Sequence, residues 1–139
     1  MKAGDVVFGA FATKNGTLAD HHSVVVQVSG DNALLVYTTS IKPDEPQARR
    51  MLSREFTQNE RELANWPNRC RYDATQLAIV PVSLLTITGR VPTAVVQELT
   101  KAIGDAKRDG RLELNHFNPK APAKATGYAS RLKREAALR

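Results

Sequence analysis

The sequence predicts a mainly β domain with helices, a small SH3-like β-barrel with a C-terminal amphipathic helix. Three observations carry the prediction. Short β-branched runs recur at close spacing between residues 5 and 88, Gly- and Pro-containing turns separate them, and a single helical stripe of apolar residues comes late in the chain.

Asp5 to Phe11 reads as a first strand entered from the Gly4-Asp5 turn. Thr13 to Thr17 reads as a turn, with Asn15-Gly16 its strongest cue. Ser23 to Ser29 is β-branched and almost continuously apolar, the pattern of a strand covered on both faces. Gly30-Asp31-Asn32 then turns the chain into Ala33 to Thr39, which completes a hairpin. Ile41 to Ala48 is a loop broken by Pro43 and Pro46. A short helix is expected over Ser53 to Trp66, because Thr57 and Glu60 have capping-box spacing and Pro67 stops the run. Further strands are expected at Arg69–Tyr72, Gln76–Val82 and Leu84–Thr88, with Pro81 suited to an edge or a strand end. Pro92 is placed to begin a helix over Thr93 to Asp105, whose Val95, Val96, Leu99 and Ile103 form one stripe facing the barrel. Past Gly110 the chain turns polar. Pro119 to Gly127 reads as a mobile linker, and Tyr128 to Arg139 as a basic helix that needs a surface to dock on. The expected division is therefore a barrel domain over 1–110 and a basic C-terminal extension over 111–139.

A chain of 139 residues has room for one domain, and 42% apolar with 24% charged residues is ordinary globular composition. No apolar run approaches the roughly 20 residues of a membrane-spanning helix. The opening Met1-Lys2-Ala3-Gly4-Asp5 lacks the apolar core of a secretory signal. Cys70 is the single cysteine, and no Cys/His spacing suggests a zinc cage. A cytoplasmic protein with no membrane association, no metal and no cofactor is the expectation. The net charge of +6 is unevenly spread: residues 1–110 hold 13 Lys and Arg against 12 Asp and Glu, and residues 111–139 hold seven against two. A basic extension either keeps the protein soluble or attracts a polyanion through counterion release.

Gly4-Asp5-Val6-Val7 is similar to the Gly-Asp/Glu-Ile strand that opens the MazF/PemK/Kid toxins, the first of several short segments that resemble that family. His21-His22-Ser23-Val24-Val25-Val26 lies where they carry a Gly-X-Arg-Pro segment running into an apolar strand, with His22 standing in place of the arginine. Val36-Tyr37-Thr38-Thr39-Ser40 resembles their RNA-contacting strand end. Arg71-Tyr72-Asp73 resembles the Arg-X-Asp element of the Kid/PemK branch, and Arg90-Val91-Pro92 the start of that branch's last helix. The similarity spans about residues 3–106. It implies a homodimeric endoribonuclease toxin that cleaves single-stranded RNA without metal and is neutralised by a cognate antitoxin protein.

Such cleavage needs a base for the 2′-hydroxyl proton, cationic stabilisation of the phosphorane and a proton for the departing 5′-oxygen. On the resemblance, Asp73 is the candidate base. Arg71, two residues away on a strand, would share its face. A guanidinium with a pKa above about 12 is a poor proton donor, so Arg71 is assigned to clamp phosphate and stabilise the transition state. A plain surface salt bridge is the competing reading of the pair. His22, or its neighbour His21, titrates nearest to working pH and is the candidate acid; both could equally be turn residues at a strand start. His21, Thr38, Thr39, Ser40 and Tyr72 are the expected RNA contacts, through hydroxyl and ring groups. Trp66 either stacks on a base or belongs to the core. The rival function is a catalytically inactive barrel of the same ancestry that binds nucleic acid or a protein partner.

Overall fold

The computed structural model describes residues 1–12, 18–41 and 53–116. Six strands and two helices follow in the order β1 Asp5–Ala12, β2 Leu18–Ser29, β3 Asn32–Ser40, α1 Gln58–Ala64, β4 Cys70–Pro81, β5 Thr86–Arg90, α2 Thr93–Arg108 and β6 Glu113–His116. The mainly β class with helices is as expected. All six strands join one mixed sheet in the order β5-β1-β2-β3-β4-β6, whose ends do not pair with each other among the described residues. β1 and β4 nevertheless touch, although β2 and β3 lie between them, so the sheet is strongly curled.

The hairpin of β2 and β3 turns at Gly30, whose φ of +58° is the left-handed conformation that glycine adopts without steric cost. β2 begins at Leu18, five residues ahead of the expected start, and pairs with β1 along that added length. The helix expected over Ser53–Trp66 is only Gln58–Ala64. Thr57 and Glu60 do form the capping box, and the cap sets the start of the helix there. The residues ahead of it go instead to the edge of β4: the Phe56 N–H donates to the Cys70 carbonyl at 3.0 Å, and the Tyr72 N–H to that of Arg54 at 3.3 Å. Arg54 then ties this edge segment to both helices. Its guanidinium bonds Glu60 of α1 and Glu98 of α2 at 2.7–3.0 Å and lies over the rings of Phe56 and Tyr72.

The two strands expected at 69–72 and 76–82 are one, β4, interrupted by an offset. Tyr37 faces Asp73 and Val36 faces Leu77, so Ala74, Thr75 and Gln76 have no partner on β3. Pro81 does end the strand, and a single 3₁₀ turn, Val82–Leu84, delays β5 by two residues relative to the expected position. Pro92 is the N-cap of α2 and not its first residue, and the helix runs three residues past Asp105. The polar stretch past Gly110 also differs from expectation, since Glu113–His116 adds β6 in parallel beside β4. The expected turn at 13–17, most of the loop at 41–48, the linker at 119–127 and the helix at 128–139 lie outside the described residues.

The sheet has an apolar cluster on each face. Val6, Val24, Val36, Phe56, Trp66, Tyr72 and Leu77 pack on one face beneath Val95 and Leu99 of α2, with Val96 and Ile103 partly buried beside them, as the helical stripe predicts. Val7, Val25, Leu35, Tyr37, Ala78 and Val80 fill the other. Each fully buried Val or Leu contributes about 1.5–3 kcal/mol relative to exposure. Neither helix among the described residues is long and apolar enough to cross a membrane.

Candidate functional site

Cross-strand partners in an antiparallel ladder project from the same face, and neighbours along a strand from opposite faces. These two rules divide the expected site residues. Arg71 pairs with Thr39 and Asp73 with Tyr37, which places Arg71, Asp73 and Thr39 on the face of the Tyr37 cluster. Tyr72 pairs with Thr38 and Ser40 with Cys70, on the face covered by α2. His22 pairs with Phe8 and belongs with this second group. His21 pairs with Gly9 in the β1–β2 ladder. The sheet therefore brings Arg71 and Asp73 together with Thr39, and separates them from His22, Thr38 and Tyr72 by its own thickness.

On the first face, Ser23, Tyr37 and Asp73 occupy one row across β2, β3 and β4. All are more than nine-tenths buried, as are Arg71 and Thr75. Buried polar groups cost free energy unless they are satisfied, so this gathering is an energetically expensive feature of a small sheet. Both hydrogen bonds described for Asp73 run to Thr75. Its Oδ1 accepts from the Thr75 N–H at 3.0 Å and from the Thr75 hydroxyl at 2.6 Å. The Ser23 hydroxyl, fully buried, has no hydrogen-bond partner among the described residues. Burial holds the Tyr37 phenol well above its ordinary pKa of 10, so it stays protonated at any working pH.

The second face is aromatic. The His22 ring lies 4.6 Å from that of Phe8 and 6.5 Å from that of Trp66, and Trp66 packs on Phe56, which meets Tyr72. The Thr38 hydroxyl donates to the His22 carbonyl at 2.7 Å. Trp66 and Tyr72 are core residues here, 6% and 5% exposed, and their rings are spent on packing. The Cys70 thiol on the same face is pushed up to about 11 by burial, which keeps it protonated and unreactive at neutral pH.

Burial also holds His22 below its ordinary value of 6.5. The unfolded chain then takes up this proton before the folded one does. The His22 contribution to stability is complete above 6.5 and is lost as pH falls toward the depressed folded value. The melting temperature should fall more steeply as pH drops below 6.5 for the wild type than for His22→Gln. Parallel curves for the two proteins would count against this placement of the ring.

Sequence reasoning did not single out Thr75, Tyr37 or Ser23. Thr75 had a local signal, since an Asp followed two residues later by a hydroxyl residue is a side-chain-to-backbone turn pattern. Tyr37 and Ser23 lie within the resembling segments, but only the ladder register brings them into the row of Asp73. No protein-family model matches the chain, and no curated protein matches it.

Proposed function

We propose that this chain is an endoribonuclease of the MazF/PemK/Kid type that cleaves single-stranded RNA without metal, with Asp73 as base and Arg71 as phosphate clamp. One observation carries the reading: Arg71 and Asp73 lie on one face of β4, nine-tenths buried, inside the main gathering of buried polar groups. In this reading Asp73 takes the 2′-hydroxyl proton as the 2′-oxygen attacks phosphorus. Arg71 stabilises the charge that grows on the phosphorane, where a buried cation acts more strongly than in water. The P–O5′ bond breaks and the departing oxygen takes a proton from water, leaving a 2′,3′-cyclic phosphate and a 5′-hydroxyl. Thr39, half-buried opposite Arg71, supplies a hydroxyl contact to the strand. This reading leaves His22 out of the chemistry, since its ring lies on the other face of the sheet beside Phe8 and Trp66.

The reading brings others with it: the curled sheet is an SH3-like barrel, the protein works as a homodimer in the cytoplasm, and an antitoxin protein holds it inactive. The curl that brings β1 to β4 supports the first of these. The basic residues beyond 110 favour an RNA substrate over a neutral one.

A second reading, a barrel that binds nucleic acid without cutting it, is favoured by the same geometry seen from Asp73. Asp73 as a residue is 6% exposed, and one of its carboxylate oxygens already serves Thr75. Incubating the purified chain with mixed-sequence single-stranded RNA in EDTA separates the two. Cleavage leaving 2′,3′-cyclic phosphate ends is the expected result; RNA that is bound but stays intact would replace the first reading with the second.

A further inference from the structure

The three residues of β4 that have no partner on β3 include Thr75, and they bring it back onto the carboxylate of Asp73. An aspartate side chain on a strand normally has a broad, two-fold choice of carboxylate orientation. Here that choice is removed, because a backbone N–H and a hydroxyl of the same residue both end on one oxygen. The hydroxyl contact, at 2.6 Å, is of the length expected for a donor to an ionised carboxylate, the stronger class of hydrogen bond. Residues displaced from a ladder next to a site commonly re-aim a side chain, and this displacement aims one.

We propose that Thr75 is a positioning residue for RNA cleavage: it holds Oδ1 of Asp73 through two hydrogen bonds and leaves Oδ2 as the oxygen that takes the 2′-hydroxyl proton. This rests on the ribonuclease reading and adds a role for this chain's own Asp-X-Thr sequence. Thr75 does not touch RNA in this arrangement. It acts through Asp73, by keeping the accepting oxygen at the one orientation from which proton transfer works. Small misplacements of a reacting group are costly, because proximity and alignment supply a large share of the rate.

The test compares Thr75→Val, which keeps the shape and the backbone N–H bond but removes the hydroxyl, with Thr75→Ser, which keeps the hydroxyl. Thr75→Val should lower kcat by about 10- to 100-fold on a short single-stranded RNA, with KM changed by less than about twofold. Thr75→Ser should restore most of the loss. If Thr75→Val does not fold, Thr75→Ala against Thr75→Ser makes the same comparison. Wild-type kcat in the variant without a hydroxyl would overturn the proposal, and so would a loss that serine does not rescue. Both results leave the ribonuclease reading standing. A wild-type chain that cleaves no RNA overturns that reading and the role of Thr75 together.

Discussion

Asp73→Asn should abolish RNA cleavage while leaving the fold and RNA binding in place. The amide keeps an oxygen that accepts both Thr75 hydrogen bonds, so the three-residue offset in β4 retains its internal support. What it loses is the basic carboxylate oxygen, replaced by an NH₂ that cannot accept a proton. Removing a general base costs about 10²- to 10⁴-fold in rate. Arg71→Ala differs in kind, since it deletes a phosphate contact as well as transition-state stabilisation and should weaken binding and cleavage together. The measurements are the cleavage rate at saturating RNA, the dissociation constant by filter binding and the melting temperature. Full activity in Asp73→Asn would show that another group takes the proton.

Gly89→Ala should be strongly destabilising, since an added Cβ there meets backbone atoms closer than 3.0 Å. A Cβ on Gly89 would sit 2.5 Å from the carbonyl carbon and oxygen of Ala64. These are backbone atoms at the end of α1, and Ala64 is itself completely buried, so nothing there can swing aside. Either α1 lifts from β5 or the sheet edge bends. Overpacking of this sort costs about 1–3 kcal/mol. For a domain of this size that is a fall in melting temperature of roughly 5–15 °C. Gly104→Ala is the matched control. Its added methyl meets nothing within 4 Å. In the middle of α2, alanine should stabilise by up to about 1 kcal/mol. Equal melting temperatures for the two variants would contradict the close seating of α1 on β5.

Part of the fold was legible because its signals are local. Gly30 marks the hairpin, the Thr57–Glu60 box marks α1, and the spacing of Val95 and Leu99 marks the buried stripe of α2. β4 was not legible as one strand, for a physical reason. Arg71 and Asp73, odd-numbered, share a face with Ala78 and Val80, even-numbered, because the alternation is broken between them. A two-residue period read along the sequence therefore fails in the middle and suggests two strands. β6 was missed because Glu113 to His116 has little apolar character and depends on pairing with β4. The candidate site divides in the same way. Arg71 and Asp73 could be paired from sequence, since their spacing alone gives a shared face. That His22 lies across the sheet from them follows from its register with Phe8, which no local pattern encodes.

Among the described residues the curled sheet has two unjoined ends, which offer few main-chain donors and acceptors to another strand. Over the described residues β5 spans five and β6 four, short lengths for an intermolecular ladder. Each carries one exposed apolar side chain, Ile87 and Leu114, set among polar and charged neighbours that include Arg90 and Glu113. At Thr88 the carbonyl already accepts from the side-chain amide of Asn65 at 2.8 Å, so that acceptor is occupied before any second chain arrives. An incoming strand would gain few hydrogen bonds and would have to place its own charges beside those of the edge. Among the described residues, both margins of the sheet therefore present short, charged edges to a neighbouring strand.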